Sequence, residues 1–369
     1  MTEVDGSGAN AEATMTNRER FVATLTYRAA GSLLLPCLFQ CFESETPRRW
    51  QREGLPRDVH LAEHFGFEQI ELAPVNLSML PAGDVADSED ALEWRIGTDR
   101  EHADEATAAS ARVKESYLLA DPTRWAEVAR RLNPDSPARY PRFWNDYAAH
   151  KRDRDYPLGI AFTGPFTWLR ELLGMREFTL AFDSQREWIL EIVDYLTDFT
   201  LRASERAVRD LQPDFIIVRE RGAYRVSSVA IPYLMGQALT PSYKRIAEHF
   251  AERGVAVRLV EALGNCSTLL HFWVTSGLNG VYFAEAGAGM DAHLLRLKYG
   301  NDLAIIGNID THRLVTGKRE IGEELRSKVP TLCDEGGYIP TPDRPVPAEV
   351  PLEHYEYYLD HLRRLFEQG

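Results

Sequence analysis

The alternation of short apolar runs with longer amphipathic segments is the feature that most restricts the fold of this chain. Seven runs are apolar almost throughout and are flanked by turn residues: 33–39, 69–75, 158–163, 215–218, 255–260, 280–284 and 303–307. Strands buried on both faces of a parallel sheet have this pattern. The runs therefore predict a parallel sheet rather than a half-solvated antiparallel one.

The segments between the runs have the period of helices. In residues 187–211 the apolar side chains Trp188, Ile192, Leu196 and Phe199 recur three or four positions apart. An eighth strand is predicted around residues 338–339. Strands that alternate with helices in this number favour a single (β/α)8 TIM barrel over an open sheet.

Two segments interrupt this rhythm. Residues 1–15 are small and polar, and we predict a disordered tail before a barrel domain at 16–369. Residues 82–116 are polar, and within them only Leu92, Trp94 and Ile96 alternate like a strand. They predict a polar insertion, for which a hairpin lid over the barrel mouth and a solvated loop both stay open.

Charge and cysteine content exclude several classes of function. The 42 Lys and Arg against 56 Asp and Glu give a net charge of −14, which argues against sequence-independent binding of nucleic acid. A small anionic substrate remains compatible with this charge, because a local arginine cluster can lie within an acidic protein.

The start of the chain has no secretory pattern, no apolar run reaches the length of a membrane helix, and the four cysteines form no CxxC. We expect a cytoplasmic protein with no membrane or nucleic-acid partner. No GxGxxG or P-loop motif follows any run, and we expect no cofactor.

Seven short pieces, in this order along the chain, carry a family resemblance: TNRERF, ETPRRWQREGLP, TGPFTWLRELLGM, PDFIIVRERGAYR, GLNGVYFAEAGAGMD, YGNDLAIIGNID and EGGYIPTPDRPVP. Together they resemble the uroporphyrinogen decarboxylase superfamily, which includes decarboxylases and corrinoid methyltransferases. The resemblance covers residues 16–366. It implies a (β/α)8 barrel with its active site at the carboxyl ends of the strands, and a homodimer.

The chain departs from both branches of this superfamily. By resemblance, two substrate-binding arginines of the decarboxylases fall on Gln40 and Ser44, an active-site tyrosine falls on Glu171, and a histidine falls on a glycine of EGGYI. Uroporphyrinogen itself is then not the expected substrate. The His-x-Cys zinc ligands of the methyltransferases fall on Glu261 and Leu263. Leucine does not bind metal, so we expect no zinc site of that type and no metal.

Polar residues at the ends of the strand-like runs are the candidates for chemistry. The fourth run ends in an arginine-rich segment, where we expect Arg219, Glu220 and Arg225 to bind an anionic substrate and Arg221 and Tyr224 to act in catalysis. Ion pairing of these arginines with nearby acids, or core packing of the tyrosine, are the alternatives.

Two glutamates follow apolar runs and are candidates for proton transfer. Glu261 and Glu285 each end a run, where burial tends to raise a carboxyl pKa, although either could be a structural partner of an arginine. Asn76, Asn308 and Asp310 are further substrate-binding candidates, with turn formation or helix capping as alternatives.

The leading hypothesis is a metal-independent carboxy-lyase that acts on a small carboxylated substrate. Arg221 and Arg225 would hold the anion while Glu261 or Glu285 moves a proton. The first alternative is a methyltransferase linked to folate or to a corrinoid protein as partner. The second is an inactive barrel that serves as a binding subunit.

Overall fold

Seven parallel strands form one sheet in which neighbours in space are also neighbours in the chain. The structure is a computed structural model and describes residues 15–80, 118–220 and 235–367. The strand order is β1-β2-β3-β4-β5-β6-β7 and every pairing is parallel. The strands are β1 (Glu71–Leu72), β2 (Leu158–Thr163), β3 (Phe215–Arg219), β4 (Val257–Ala262), β5 (Gly280–Phe283), β6 (Ala304–Ile309) and β7 (Tyr338–Pro342).

Helices separate successive strands and follow the last one. Within the described ranges the α-helices are α1 (Asn17–Leu25), α2 (Glu45–Glu53), α3 (Leu61–Phe65), α4 (Trp125–Arg131), α5 (Trp144–His150), α6 (Pro165–Leu173), α7 (Met175–Ser184), α8 (Arg186–Leu211), α9 (Thr240–Glu252), α10 (Ser267–Thr275), α11 (Ala292–Tyr299), α12 (Thr311–Thr316), α13 (Lys318–Asp334) and α14 (Leu352–Glu367). Helix α1 begins with a capping box formed by Thr16 and Glu19. The predicted helix at 187–211 is confirmed as α8.

The segment before β1 links the two edges of the sheet. Pro36 forms a parallel bridge with Glu68, just ahead of β1, and Phe42 bridges to Val346, just after β7. The Val346 N–H donates to the Cys41 carbonyl over 2.9 Å. The result is an α/β fold with a curled seven-stranded parallel sheet, consistent with a TIM-like barrel.

The first predicted strand is the exception. Residues 33–39 form one bridge and then a 3₁₀-helix at Cys37–Phe39, rather than a strand. Pro36 has no N–H for a strand ladder, which is why proline is rare in central strands. The strand expected around 338–339 is confirmed as β7, so the sheet has seven strands among the described residues.

Two apolar layers cover the two faces of the sheet. Phe215 and Ile217 of β3 belong to the cluster inside the curl, whereas Ile216 and Val218 belong to the larger cluster between sheet and helices. Since successive side chains on a strand point to opposite faces, this alternation sets the direction of every side chain at the end of β3.

An ionic network fixes the amino ends of the strands. Asp214, directly before β3, accepts from the Leu158 N–H at 3.0 Å, from Arg154 Nη2 at 3.0 Å and from Arg18 Nε at 2.7 Å. Asp214 thus ties β2, β3 and helix α1 together at the end opposite to the expected active site.

Parts of the sequence predictions lie outside the described residues. These are residues 1–14 of the predicted tail and the whole of the predicted insertion at 82–116. Of the helices in the described part of the chain, none combines the length and apolar character needed to cross a membrane.

Candidate active site

Arg219 and Glu261 meet at the carboxyl ends of two adjacent strands. Arg219 follows Ile217 by two residues, and Glu261 follows Leu259 by two, so both side chains point to the inside of the curl. The parallel register places the two residues opposite each other. Arg219 Nε lies 3.3 Å from Glu261 Oε2, an ion pair without good hydrogen-bond geometry. The Glu261 side chain is 6% exposed and that of Arg219 is 22% exposed.

A thiol and a phenol lie beside this pair. Tyr282 is opposite Glu261 in the register of β4 and β5, and its hydroxyl lies 3.0 Å from Cys41 Sγ. Burial raises the pKa of Cys41 to about 12 and that of Tyr282 well above its usual value. Both groups are therefore protonated at neutral pH, and Cys41 is not a thiolate nucleophile in this environment. Sequence reasoning missed Tyr282, although its position near the end of the GVYFA run marked it.

Glu220 points to the opposite face of the sheet from Arg219. Its side chain is fully buried and accepts four hydrogen bonds: from the Phe166 N–H at 3.2 Å, from the Thr167 N–H at 2.9 Å and hydroxyl at 2.8 Å, and from the Tyr243 hydroxyl. Burial raises the pKa of Glu220 to about 7, against these hydrogen bonds, which lower it. The predicted substrate-binding residue thus binds the protein's own donors, in the layer between sheet and helices.

Glu285, at the end of β5, connects three loops of the site. Its Oε2 accepts from the Gly264 N–H at 2.6 Å, and its Oε1 lies 3.8 Å from Arg344 Nη1. Arg344 follows β7 and its side chain is about half exposed. Glu285 therefore lies at the mouth of the curl, with one oxygen held by a backbone amide.

Asn308 is fully buried and binds the backbone of the β5–α11 loop. Its Nδ2 donates to the carbonyls of Ala284 at 2.6 Å and Met290 at 2.8 Å, and its Oδ1 accepts from the Ala292 N–H at 3.2 Å. Its φ of 65° is in the left-handed region that asparagine tolerates better than most residues. The structure places this candidate in loop fixation rather than at a free surface.

The remaining candidates also bind their own surroundings. Asp310 caps α12 by accepting from the His312 N–H at 2.9 Å, the alternative that the sequence left open. Asn76 Oδ1 accepts from the Ser78 N–H and hydroxyl and so forms a turn. Asp343, which sequence reasoning missed, is buried after β7 and accepts from the N–H of Thr311 at 3.0 Å, from its hydroxyl, and from the Gly287 N–H at 3.2 Å. Its only sequence signal was its position in TPDRPVP.

Three predicted residues, Arg221, Tyr224 and Arg225, lie outside the described residues.

The residues present do not fit the zinc ion of the methyltransferase branch. Leu263 offers no donor atom, and Glu261 is engaged with Arg219. In the described ranges, no group of three or more His, Cys, Asp or Glu side chains is arranged to hold a metal ion.

The fold and the polar strand ends define a TIM-like α/β protein with a candidate site at the carboxyl ends of its strands. A family profile described as uroporphyrinogen decarboxylase (URO-D) matches residues 119–365. The chain belongs to the uroporphyrinogen decarboxylase family. Family membership indicates an enzyme and does not decide between lyase and methyltransferase.

Solved structures share the fold at low sequence identity. A methyltransferase from Methanosarcina mazei superposes with a TM-score of 0.56 and 15% identity, covering 95% of this chain and 99% of that chain. At this identity the likeness concerns the fold alone. None of the curated proteins matches the sequence significantly.

Proposed function

We propose that the protein is a carboxy-lyase-type enzyme that acts on a small carboxylated substrate other than uroporphyrinogen. The observation that carries the proposal is the Arg219–Glu261 pair, 3.3 Å apart on the inward face at the carboxyl ends of β3 and β4. Active sites of TIM-barrel enzymes lie at this end of the strands.

Arg219 supplies the anion-binding half of the proposal. A guanidinium carries five N–H donors in a planar fork that matches a carboxylate. Its Nε faces Glu261, so the two Nη groups are the donors that would meet a substrate carboxylate. Arg221 and Arg225 stay predictions for the same role.

Glu261 supplies the proton in this proposal. Loss of CO₂ breaks the bond between the carboxyl carbon and its neighbour and leaves the electron pair on that neighbouring carbon. Because Glu261 is the carboxylate of the ion pair at rest, it first takes a proton from solvent as the substrate carboxylate replaces it at Arg219. The electron pair then takes this proton, and the resulting Glu261 carboxylate returns to its ion pair with Arg219. The substrate must itself delocalise the electron pair. Glu285, with one oxygen held by Gly264, is the second candidate for this step.

The proposed reaction uses no zinc. By resemblance, Leu263 occupies the position of a thiolate ligand in the methyltransferase branch, and its side chain offers no donor atom. Tyr224 stays a predicted catalytic residue. A homodimer stays an expectation.

A screen of ¹³C-labelled small carboxylates tests the proposal. Binding is measured by NMR and release of labelled CO₂ by mass spectrometry, for wild type, Arg219→Ala and the control Arg18→Ala. Arg18 pairs with Asp214 at the opposite end of the strands, so its loss removes an equal charge away from the site. We expect Arg219→Ala alone to lose binding. If Arg219→Ala binds and turns over the carboxylate as wild type does, Arg219 has no part in the mechanism and the proposal is wrong.

A methyltransferase linked to a corrinoid or folate is the second candidate. Its support is the fold shared with the Methanosarcina mazei protein, which is described as a methyltransferase. Titration with methylcobalamin and with methyltetrahydrofolate, followed by loss of the methyl group, tests it. Methyl loss without CO₂ release would favour this candidate, whereas tight carboxylate binding without either reaction would identify a binding subunit.

A further inference from the structure

The residue after Arg219 joins three elements at the edge of the site. Glu220 extends from β3 into the layer of helices and accepts from two residues of α6 and one of α9. We infer that Glu220 is a positioning residue: its carboxylate fixes the end of β3, so that the Arg219 side chain is held beside Glu261. The inference rests on the proposed function only for the role it gives Arg219.

Backbone contacts transmit this fixation to the ion pair. The Gly164 N–H donates to the Arg219 carbonyl over 2.9 Å, and the Glu220 N–H donates to the Glu261 carbonyl over 2.9 Å. The peptide between Arg219 and Glu220 is thus bonded to β4 on one side and to the start of α6 on the other. A movement of Glu220 would move the backbone that carries Arg219.

Gly164 makes this arrangement possible. A Cβ atom at this position would overlap with Glu220 Oε1. The glycine therefore leaves the space in which the carboxylate reaches the N–H groups of Phe166 and Thr167. Helix N-termini favour negative charge, and here a buried side chain of the same protein supplies it.

The chemistry of the four donors requires a carboxylate at this position. An ionised carboxylate accepts at both oxygens, whereas glutamine accepts at one and presents an NH₂ group to the other donors. Alanine would leave the donors of Phe166, Thr167 and Tyr243 without their partner. An added acetate ion has the size and charge to replace the missing carboxylate.

Asp214 provides a matched control at the other end of the same strand. It is also a buried carboxylate that accepts a backbone N–H, that of Leu158, but it precedes β3, whereas Glu220 follows it. The five residues of β3 lie between the two, so six steps of ~3.3 Å separate them by roughly 20 Å. Loss of Asp214 should weaken the fold without displacing Arg219.

The test follows the Nε–Hε NMR signal of Arg219, assigned by its loss in Arg219→Lys, in the full-length protein without substrate. Spectra are taken at pH 8, above the pKa of about 7 that burial gives Glu220, for wild type, Glu220→Ala, Glu220→Gln and Asp214→Ala. We expect both Glu220 variants to shift or broaden this signal and Asp214→Ala to leave it in place. Compared with wild type at the same acetate concentration, acetate should restore the signal in Glu220→Ala, whereas acetamide should not.

Two outcomes would overturn the inference. One is an unmoved Arg219 signal in a folded Glu220 variant. The other is a shift of the signal in Asp214→Ala that is as large as in the Glu220 variants, which would mean a general structural effect. If Glu220→Ala does not fold, the isosteric Glu220→Gln decides the matter alone. Because the signal is read without substrate, a failed carboxylate screen would sink the proposed function and leave this result standing.

Discussion

Arg219 and Glu261 are the last inward-facing residues of two neighbouring strands, and their charged groups lie 3.3 Å apart. Tyr282 continues this row on β5, where its hydroxyl contacts Cys41. Below the row the interior is filled by aromatic and aliphatic side chains, among them Phe39 and Phe215. In this row, polar side chains therefore replace the apolar side chains that fill the interior below it.

The first prediction separates proton transfer from binding. Glu261→Gln keeps the size of the side chain and removes its exchangeable acid. We expect carboxylate affinity to persist and CO₂ release to fall by about 10²–10⁴-fold, the usual contribution of a general acid. Binding by NMR and release by mass spectrometry on the same samples check it. Full turnover by Glu261→Gln, with a loss in Glu285→Gln, would transfer the role to Glu285.

The second prediction concerns the pH dependence of stability. Burial raises the pKa of Glu220 to about 7 from an ordinary value of 4.5, so between these pH values the folded state binds more protons than the unfolded state. The contribution to the free energy of unfolding is therefore present below pH 4.5 and is lost as the pH rises through 7, by an amount on the order of 3 kcal/mol.

Urea unfolding of wild type and Glu220→Gln between pH 5 and pH 8.5 measures this contribution. The free energy of unfolding of wild type, relative to that of Glu220→Gln, should fall as the pH rises, because glutamine does not titrate. Other buried groups, such as Asp343, cancel in the difference. A pH-independent difference would mean that the carboxyl titrates at its ordinary pKa.

The third prediction uses two glycines. Gly164→Ala places a Cβ against Glu220 Oε1, and we expect a loss of about 1–3 kcal/mol in the free energy of unfolding, as for overpacking in a core. Gly287→Ala is the matched control, since its nearest contacts, Asp310 and Asp343, lie at 3.7 and 3.9 Å, and its effect should stay within about 0.5 kcal/mol.

A double-mutant cycle tests the cause of this loss. In a Glu220→Ala background the overlap no longer exists, so Gly164→Ala should cost much less than in wild type. An equal cost in both backgrounds would trace the effect to the loop itself and not to Glu220.

The sheet was predictable because its strands are buried on both faces. The apolar runs that became β2 to β6 match the observed strands to within about two residues at each end, and the family resemblance is confirmed. The prediction of a strand at 33–39 was wrong, because apolar content does not reveal that Pro36 interrupts the ladder of strand hydrogen bonds.

The side-chain directions at the strand ends were not predictable. A continuous run such as that of β3 has no polar alternation, so the sequence does not tell which of Arg219 and Glu220 faces inward. The same holds at the end of β5, where Phe283 and Ala284 have φ values of 82° and 46° and reset the direction of the chain before Glu285. Only the register and these backbone angles distinguish Arg219 and Glu261, which face inward, from Glu220, whose buried carboxylate is structural.

The last prediction concerns the cysteines. Burial raises the pKa of Cys41, Cys266 and Cys333 to about 12, whereas Cys37 is only partly buried. Because the thiolate is the reactive form, iodoacetamide at pH 7.5 should modify Cys37 first in the native protein and leave the other three intact. Peptide mass spectrometry over a time course measures the four rates. Tyr282→Phe removes the phenol beside Cys41 but not its burial, and should leave Cys41 unreactive. Alkylation of Cys41 as fast as Cys37 would mean that solvent reaches the interior below Arg219 and Glu261.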